Sequence, residues 1–212
     1  MREAARLAVV RHPYLIAAAS LAFCAIAASV AFGTGIEGLQ AVTRYTGRAG
    51  LFLFGFVFAL APWRRLWPSP FVNAAFRERR HFGLAFGAHH TVHLALLASY
   101  LARSGAPVHL SRIAAGALAY LALFVMMATS TDSAVRRIGA ARWRTLHRTC
   151  LWYLWLVFVL TYVPRILGTA QNAGGGMAEF IFCLIVLFAL ATLRLAAFST
   201  KKIRAHPSAA VD

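Results

Sequence analysis

Long apolar runs alternate with short polar, mostly basic connectors along nearly the whole chain. The runs cover residues 14–32, 49–63, 82–101, 113–128, 146–163 and 177–198. About 20 apolar residues crossing as a helix span the hydrocarbon core of a bilayer. Lipid offers no partner to a free backbone group, so each run is predicted to be a helix. The connectors carry turn residues: Pro62, Pro68 and Pro70; Gly105 and Pro107; Gly174-Gly175-Gly176. No internal repeat is visible. The expected fold is all-α, a six-helix transmembrane bundle over residues 1–200, with a basic cytoplasmic tail at 201–212.

Composition agrees with a membrane setting. The chain is 60% hydrophobic and 13% charged, more apolar surface than a soluble domain of this size can hide. Its net charge of +16 does not point to nucleic acid. Basic residues in loops facing anionic lipid explain it more simply. The N-terminus resembles a signal peptide, but its apolar run is long for one and is expected to be retained as the first helix. Cys24, Cys150 and Cys183 lie inside apolar runs without CxxC spacing and read as small buried hydrophobes.

The third run carries Gly87-Ala88-His89-His90-Thr91-Val92-His93. A histidine within lipid is costly and usually has a task. At about 100° per residue, His89, His93 and His90 fall within about 100° of arc, beside Gly83 and Gly87. Glycines at i and i+4 make a flat groove on which a helix or a planar macrocycle can lie. Imidazole is a good axial ligand for haem iron. The bland alternative is that the three histidines bond neighbouring helices or line a wet cavity; three on one turn favour function. His147 opens the fifth run near an interface, where a histidine is cheap. Gly33-Thr34-Gly35-Ile36-Glu37-Gly38 matches GxGxxG literally but follows a membrane helix rather than a strand, which excludes a dinucleotide site. Trp152 and Trp155 are expected to pack rather than relay electrons. Glu179 is the one carboxylate expected within a span, which argues against a carboxylate-bridged di-iron site.

Five segments then occur in a familiar order: Thr46-Gly47-Arg48, Pro62-Trp63-Arg64-Arg65, Arg79-Arg80-His81-Phe82-Gly83-Leu84, Thr129-Ser130-Thr131 and Arg142-Trp143-Arg144-Thr145-Leu146-His147-Arg148. Over roughly residues 43–164 the chain resembles the ferric-reductase-like transmembrane domain family. Its layout is nearest to the haem-binding membrane subunits of bacterial methionine-sulfoxide reductase systems. The resemblance implies haem b between the third and fifth helices, with His93 and His147 at axial-ligand positions. It also implies electron transfer across a membrane, here a bacterial inner membrane. The family carries a second histidine thirteen residues beyond the first on helix five, where this chain has Leu160. A histidine placed there is expected to complete the set.

Depth constrains the pairing. His93 lies about 20 Å beyond Arg80 along its helix, and His147 only about 5 Å beyond Arg144, at ~1.5 Å per residue. The two share one haem only if a helix is strongly offset. His81 has better depth for His147, but sits at an interface. Three outcomes stay open: a haem held by His93 alone, an inner haem on His147 with an unusual partner, or a bundle without haem.

The expected function is a haem b-binding electron-transfer subunit, at most the membrane part of an oxidoreductase. With no room in 212 residues for a flavin or NAD(P)H domain, electrons are expected from quinol or a separate flavoprotein. They would pass to a periplasmic acceptor or onward in a larger membrane complex. Two alternatives belong to other classes. One is a haem-free structural or assembly subunit. The other is a metal-binding or transport protein using His89, His90 and His93.

Charge orients the bundle. One side receives Arg2, Arg6 and Arg11, Arg64, Arg65, Arg77, Arg79 and Arg80, Arg136, Arg137, Arg142, Arg144 and Arg148, and Arg194, Lys201, Lys202 and Arg204. The other receives Arg44, Arg48, Arg103, Arg112 and Arg165. Loops rich in Lys and Arg stay in the cytoplasm, so both termini are expected there and residue 105 outside. Gly105→Cys should react with a membrane-impermeant maleimide in intact cells; reaction only after lysis would reverse the orientation.

Overall fold

The computed structural model describes residues 12–105, 110–168 and 176–205. Arg2, Arg6 and Arg11, Pro107, Gly174 and Gly175, and the end of the basic tail lie outside the described residues. Within them the chain is all-helical: α1 (Pro13–Phe32), α2 (Ile36–Leu66), α3 (Pro70–Arg77), α4 (Arg79–Ser104), α5 (Leu110–Ala128), α6 (Asp132–Ile138), α7 (Ala140–Ile166) and α8 (Met177–Ala205).

Among the described residues, α1, α2, α7 and α8 are long and apolar enough to cross a membrane. Helices α5 and α6, bent by 103° at their junction, pass as a fifth if taken together. Helix α4 has 26 residues, about 39 Å at 1.5 Å per residue. It is long enough, but its histidines dilute its apolar character. Four to five apolar crossings therefore stand where the sequence suggested six. Phe23, Val30, Ile185 and Phe198 are each at least 60% exposed, a surface that suits hydrocarbon rather than water. The protein is an integral membrane protein.

Two boundaries move for physical reasons. Helix α2 starts thirteen residues before the expected 49, because its polar first half satisfies itself. The Thr43 hydroxyl donates to Leu39 O (2.7 Å), that of Thr46 to Val42 O (2.8 Å), and Gln40 reaches Tyr100 of α4 (2.9 Å). Helix α7 starts at Ala140 rather than 146, since Ala140-Ala141-Arg142 are strong helix formers. The short α3 is capped by Ser69, which accepts from Val72 N with Pro70 behind it. Thr131 caps α6 in the same way, accepting from Ala134 N. Helix α4 ends at Gly105 in the left-handed conformation, φ +60°.

Helix α2 is the axis of the bundle and packs on α1, α4 and α8. Phe54 and Phe58 on it are fully buried and meet Phe86 of α4 and Leu154 of α7 in one core. Phe54 also packs on Phe158 of α7, and Phe58 edge-on against Trp152. Trp155 donates to Leu187 O of α8 (2.9 Å), and Tyr153 to Ala115 O of α5 (3.1 Å). Both tryptophans are packing residues. Arg48 of α2 pairs with Glu179 of α8.

Pro62, expected to close the second helix, lies inside it. A proline has no N–H, so the carbonyl of Phe58, four residues back, loses its helical donor. Arg194 of α8 supplies one: its Nη1 donates to Phe58 O at 2.8 Å while the guanidinium lies 4.2 Å from the Phe58 ring centroid. Leaving a buried acceptor unsatisfied costs about 1–3 kcal/mol. Arg194→Leu should destabilise the protein by that amount. Combining it with Pro62→Ala should recover much of the loss, because an alanine there restores the missing N–H. Thermal unfolding of the single and double variants in detergent measures this; additive losses would refute the pairing.

Candidate functional site

The three histidines of α4 lie side by side, His90 with its ring centroid 5.1 Å from His93 and 6.4 Å from His89, but their polar contacts differ. His89 is fully buried and its Nε2 lies 3.0 Å from the Ser20 hydroxyl of α1. His93 turns to α2, with Nδ1 3.0 Å from Thr46 Oγ1. His90 lies between them in an aromatic cage, its ring centroid 4.9 Å from Phe86, 5.6 Å from Phe158 of α7 and 5.8 Å from Tyr120 of α5. Its Nδ1, and that of His89, are buried without a hydrogen-bond partner among the described residues. No three His, Cys, Asp or Glu side chains among the described residues converge as a metal site. The metal-binding and transport reading loses its support there, because no third ligand side chain joins the imidazoles among the described residues.

Two glycines of α2 make this possible. A Cβ on Gly50 would lie 2.5 Å from Nδ1 and Cε1 of His90, and one on Gly47 would lie 3.1 Å from Cε1 of His93. Helix α2 can therefore press against α4 with the imidazoles lying over bare backbone. The order, Gly47 on His93 and Gly50 on His90, is that of antiparallel helices one turn apart. The sequence alone casts Thr46-Gly47-Arg48 as the opening of a helix. The small-residue spacing Gly47-x-x-Gly50, at the junction of the polar and apolar halves of α2, is the signal for its true role.

The glycines singled out on α4 behave differently. At Gly87 a Cβ would lie 2.5 Å from Met127 Sδ of α5, so that position is closed by a side chain. At Gly83 an added Cβ meets nothing within 4 Å. Gly83 and Gly87 thus form no continuous flat groove; Met127 fills one end of it.

Hydrogen bonding fixes which ring nitrogens are free. A hydroxyl has one proton. Thr46 donates its own to the carbonyl of Val42 (2.8 Å), so toward His93 it accepts, and Nδ1 carries the hydrogen. Neutral His93 then holds its lone pair on Nε2, the nitrogen a second-shell hydrogen bond on Nδ1 prepares for a metal. His147 is set the opposite way. Thr129 donates to Val125 O (2.7 Å) and so accepts from His147 Nε2 at 3.0 Å. The lone pair of His147 is left on Nδ1, beside its own backbone. Its ring stacks 4.1 Å from Trp143, which donates to Thr129 O (2.8 Å).

The structure does not bring His93 and His147 together. His90 packs on Phe158, eleven residues past His147 on α7, or about 16 Å along that helix. His93 lies nearly one turn beyond His90. His81 does not join His147 either: it is exposed, with Nδ1 2.9 Å from Glu78 Oε2 and its ring edge-on to Tyr14. Leu160 is 52% exposed on the outer face of α7. Thirteen residues rotate a helix to about 140° away from its starting direction. A histidine at 160 would face hydrocarbon, and the expectation that it completes a ligand set fails for that reason.

His93 offers one candidate imidazole for a macrocycle, its Nδ1 held by Thr46. Its Cε1–Nε2 edge lies over Gly47 of α2, where a Cβ would stand 3.5 Å from Nε2. The backbones of α4 and α7 make little direct contact, and the aromatic side chains of Phe54, Phe86 and Phe158 occupy the interval between them. A bis-histidine arrangement with His147 does not fit.

Over 141 residues the chain is 33% identical to the Protein-methionine-sulfoxide reductase heme-binding subunit MsrQ of Ralstonia nicotianae. The aligned stretch covers 63% of this chain and 58% of that protein, so the chain spans somewhat over half of this curated relative. No protein-family model matches the chain. No solved structure matches it.

The two classes of glycine predict opposite outcomes. Gly50→Ala drives a methyl into the His90 ring and should cost about 1–3 kcal/mol. Gly83→Ala enters open space and should be neutral or stabilise by up to about 1 kcal/mol through helix propensity. Chemical or thermal unfolding of both variants separates the two; equal effects would contradict the α2–α4 packing.

Proposed function

We propose that this chain is a haem b-binding membrane electron-transfer subunit of ferric-reductase-like type, with His93 as its iron ligand. The observation that carries the reading is the imidazole of His93, whose Nδ1 is held by Thr46 of the neighbouring helix so that Nε2 keeps the lone pair. The likeness to a protein named as a heme-binding subunit supports it. In this reading α4 is a sixth span, both termini are cytoplasmic and the membrane is a bacterial inner membrane. Electrons enter from quinol or a separate flavoprotein and leave to an acceptor outside.

When bound, haem would supply one-electron chemistry. The chain's own part is to hold and insulate it. Thr46 fixes the tautomer and direction of His93; Gly47 leaves room beneath the ring. Phe54, Phe86 and Phe158 exclude water from the interval between α4 and α7, which raises the importance of each ligand contact for the redox potential.

A second reading has its own support. Ser20–His89, Thr46–His93 and Thr129–His147 each join two helices, and such bonds by themselves account for the histidines as helix-to-helix fastenings in a haem-free subunit.

A visible spectrum of the purified protein decides between them. Haem at His93 gives a Soret band that His93→Ala abolishes, while His89→Ala and His90→Ala retain part of it. With no second imidazole facing His93, the reduced form should bind carbon monoxide readily. Thr46→Val should leave the fold intact and shift the midpoint potential or the Soret position. A featureless wild-type spectrum favours the fastening role. Full haem retention in His93→Ala rejects the ligand assignment.

A further inference from the structure

Arg65 at the end of α2, Arg148 early in α7 and Arg194 in α8 line a single cleft of about 400 Å³. Pro62, Trp152, Leu195 and Phe198 form much of the remaining wall. No carboxylate borders the cleft, and none pairs with these three arginines among the described residues. Three arginines on one cleft with no carboxylate beside them make it positive, which favours an anion there.

Arg194 cannot swing away from the cleft. One of its five N–H donors is fixed on Phe58 O and its plane is held over the Phe58 ring. A guanidinium fork matches phosphate oxygens bidentately.

The lower wall identifies the source of the phosphate. Leu195 and Phe198 are 58% and 65% exposed and continue the cleft along the outer face of α8. A free phosphate would use the arginines and leave this wall bare. A glycerophospholipid uses both. The cleft lies at the end of the bundle where α2 finishes and α7 begins, the basic end, with the indole of Trp152 beside it as at a membrane interface.

We propose that this cleft binds an anionic phospholipid, its phosphate held by Arg65, Arg148 and Arg194 and one acyl chain lying on Leu195 and Phe198. The site is independent of any haem.

Native mass spectrometry of the full chain, released from micelles containing dioleoylphosphatidylglycerol or dioleoylphosphatidylcholine, tests it. One phosphatidylglycerol should stay bound to the wild type, with little phosphatidylcholine. Retention should fall roughly tenfold in the Arg65→Gln/Arg148→Gln variant. Both side chains are exposed, and neither makes the Phe58 contact, so helix content by circular dichroism should not change. Unchanged retention in the variant, or equal retention of the two lipids, overturns the proposal. Inorganic phosphate at millimolar concentration should not displace the lipid; displacement would assign the cleft to free phosphate and overturn the lipid. If the variant does not fold, the comparison of the two lipids on the wild type decides alone.

Discussion

The close contact of α2 with α4 is the constraint on which the rest of the bundle depends. In hydrocarbon there is no water to satisfy a polar ring, so three imidazoles on one turn are tolerable only where neighbouring helices come within reach. Gly47 and Gly50 permit that approach. Once α2 is seated there, Thr46 faces His93, and Phe54 and Phe58 are placed in the aromatic core between α4 and α7. Position and chemistry thus follow from two absent side chains.

Much of this was legible from residue order. The apolar runs located the long helices, and burial of Cys24, Cys150 and Cys183 as free thiols agrees with their apolar settings. His93 was singled out only by the family resemblance. What could not be read was direction. Leu160 sits at a suggestive distance from His147, yet helical rotation turns it outward. Gly83 and Gly87 have attractive spacing, but only three-dimensional packing shows that Met127 covers one and leaves the other open. The polar first half of α2 concealed a helix, because its hydroxyls bond back to their own carbonyls and hide their cost.

The tautomers add a distinction that residue type cannot express. His93 and His147 are the same side chain beside the same partner, a threonine hydroxyl. The nitrogen facing that hydroxyl differs, so one ring keeps its lone pair on Nε2 and the other on Nδ1. A threonine already donating to a carbonyl one turn back is what sets both. Two small hydroxyl groups thereby decide which nitrogen of each imidazole keeps its lone pair.

The proline in α2 also bears on the order in which the bundle is assembled. Helices emerge from the ribosome in sequence, and α2 is made long before α8. Until Arg194 arrives, the carbonyl of Phe58 has no donor from its own helix. The central helix of the protein therefore enters the bilayer incomplete and must find a temporary partner, such as water near the interface or the insertion machinery. Its final form waits on the last described helix. A fold read from first helix to last is, in its energetics, closed from last to first.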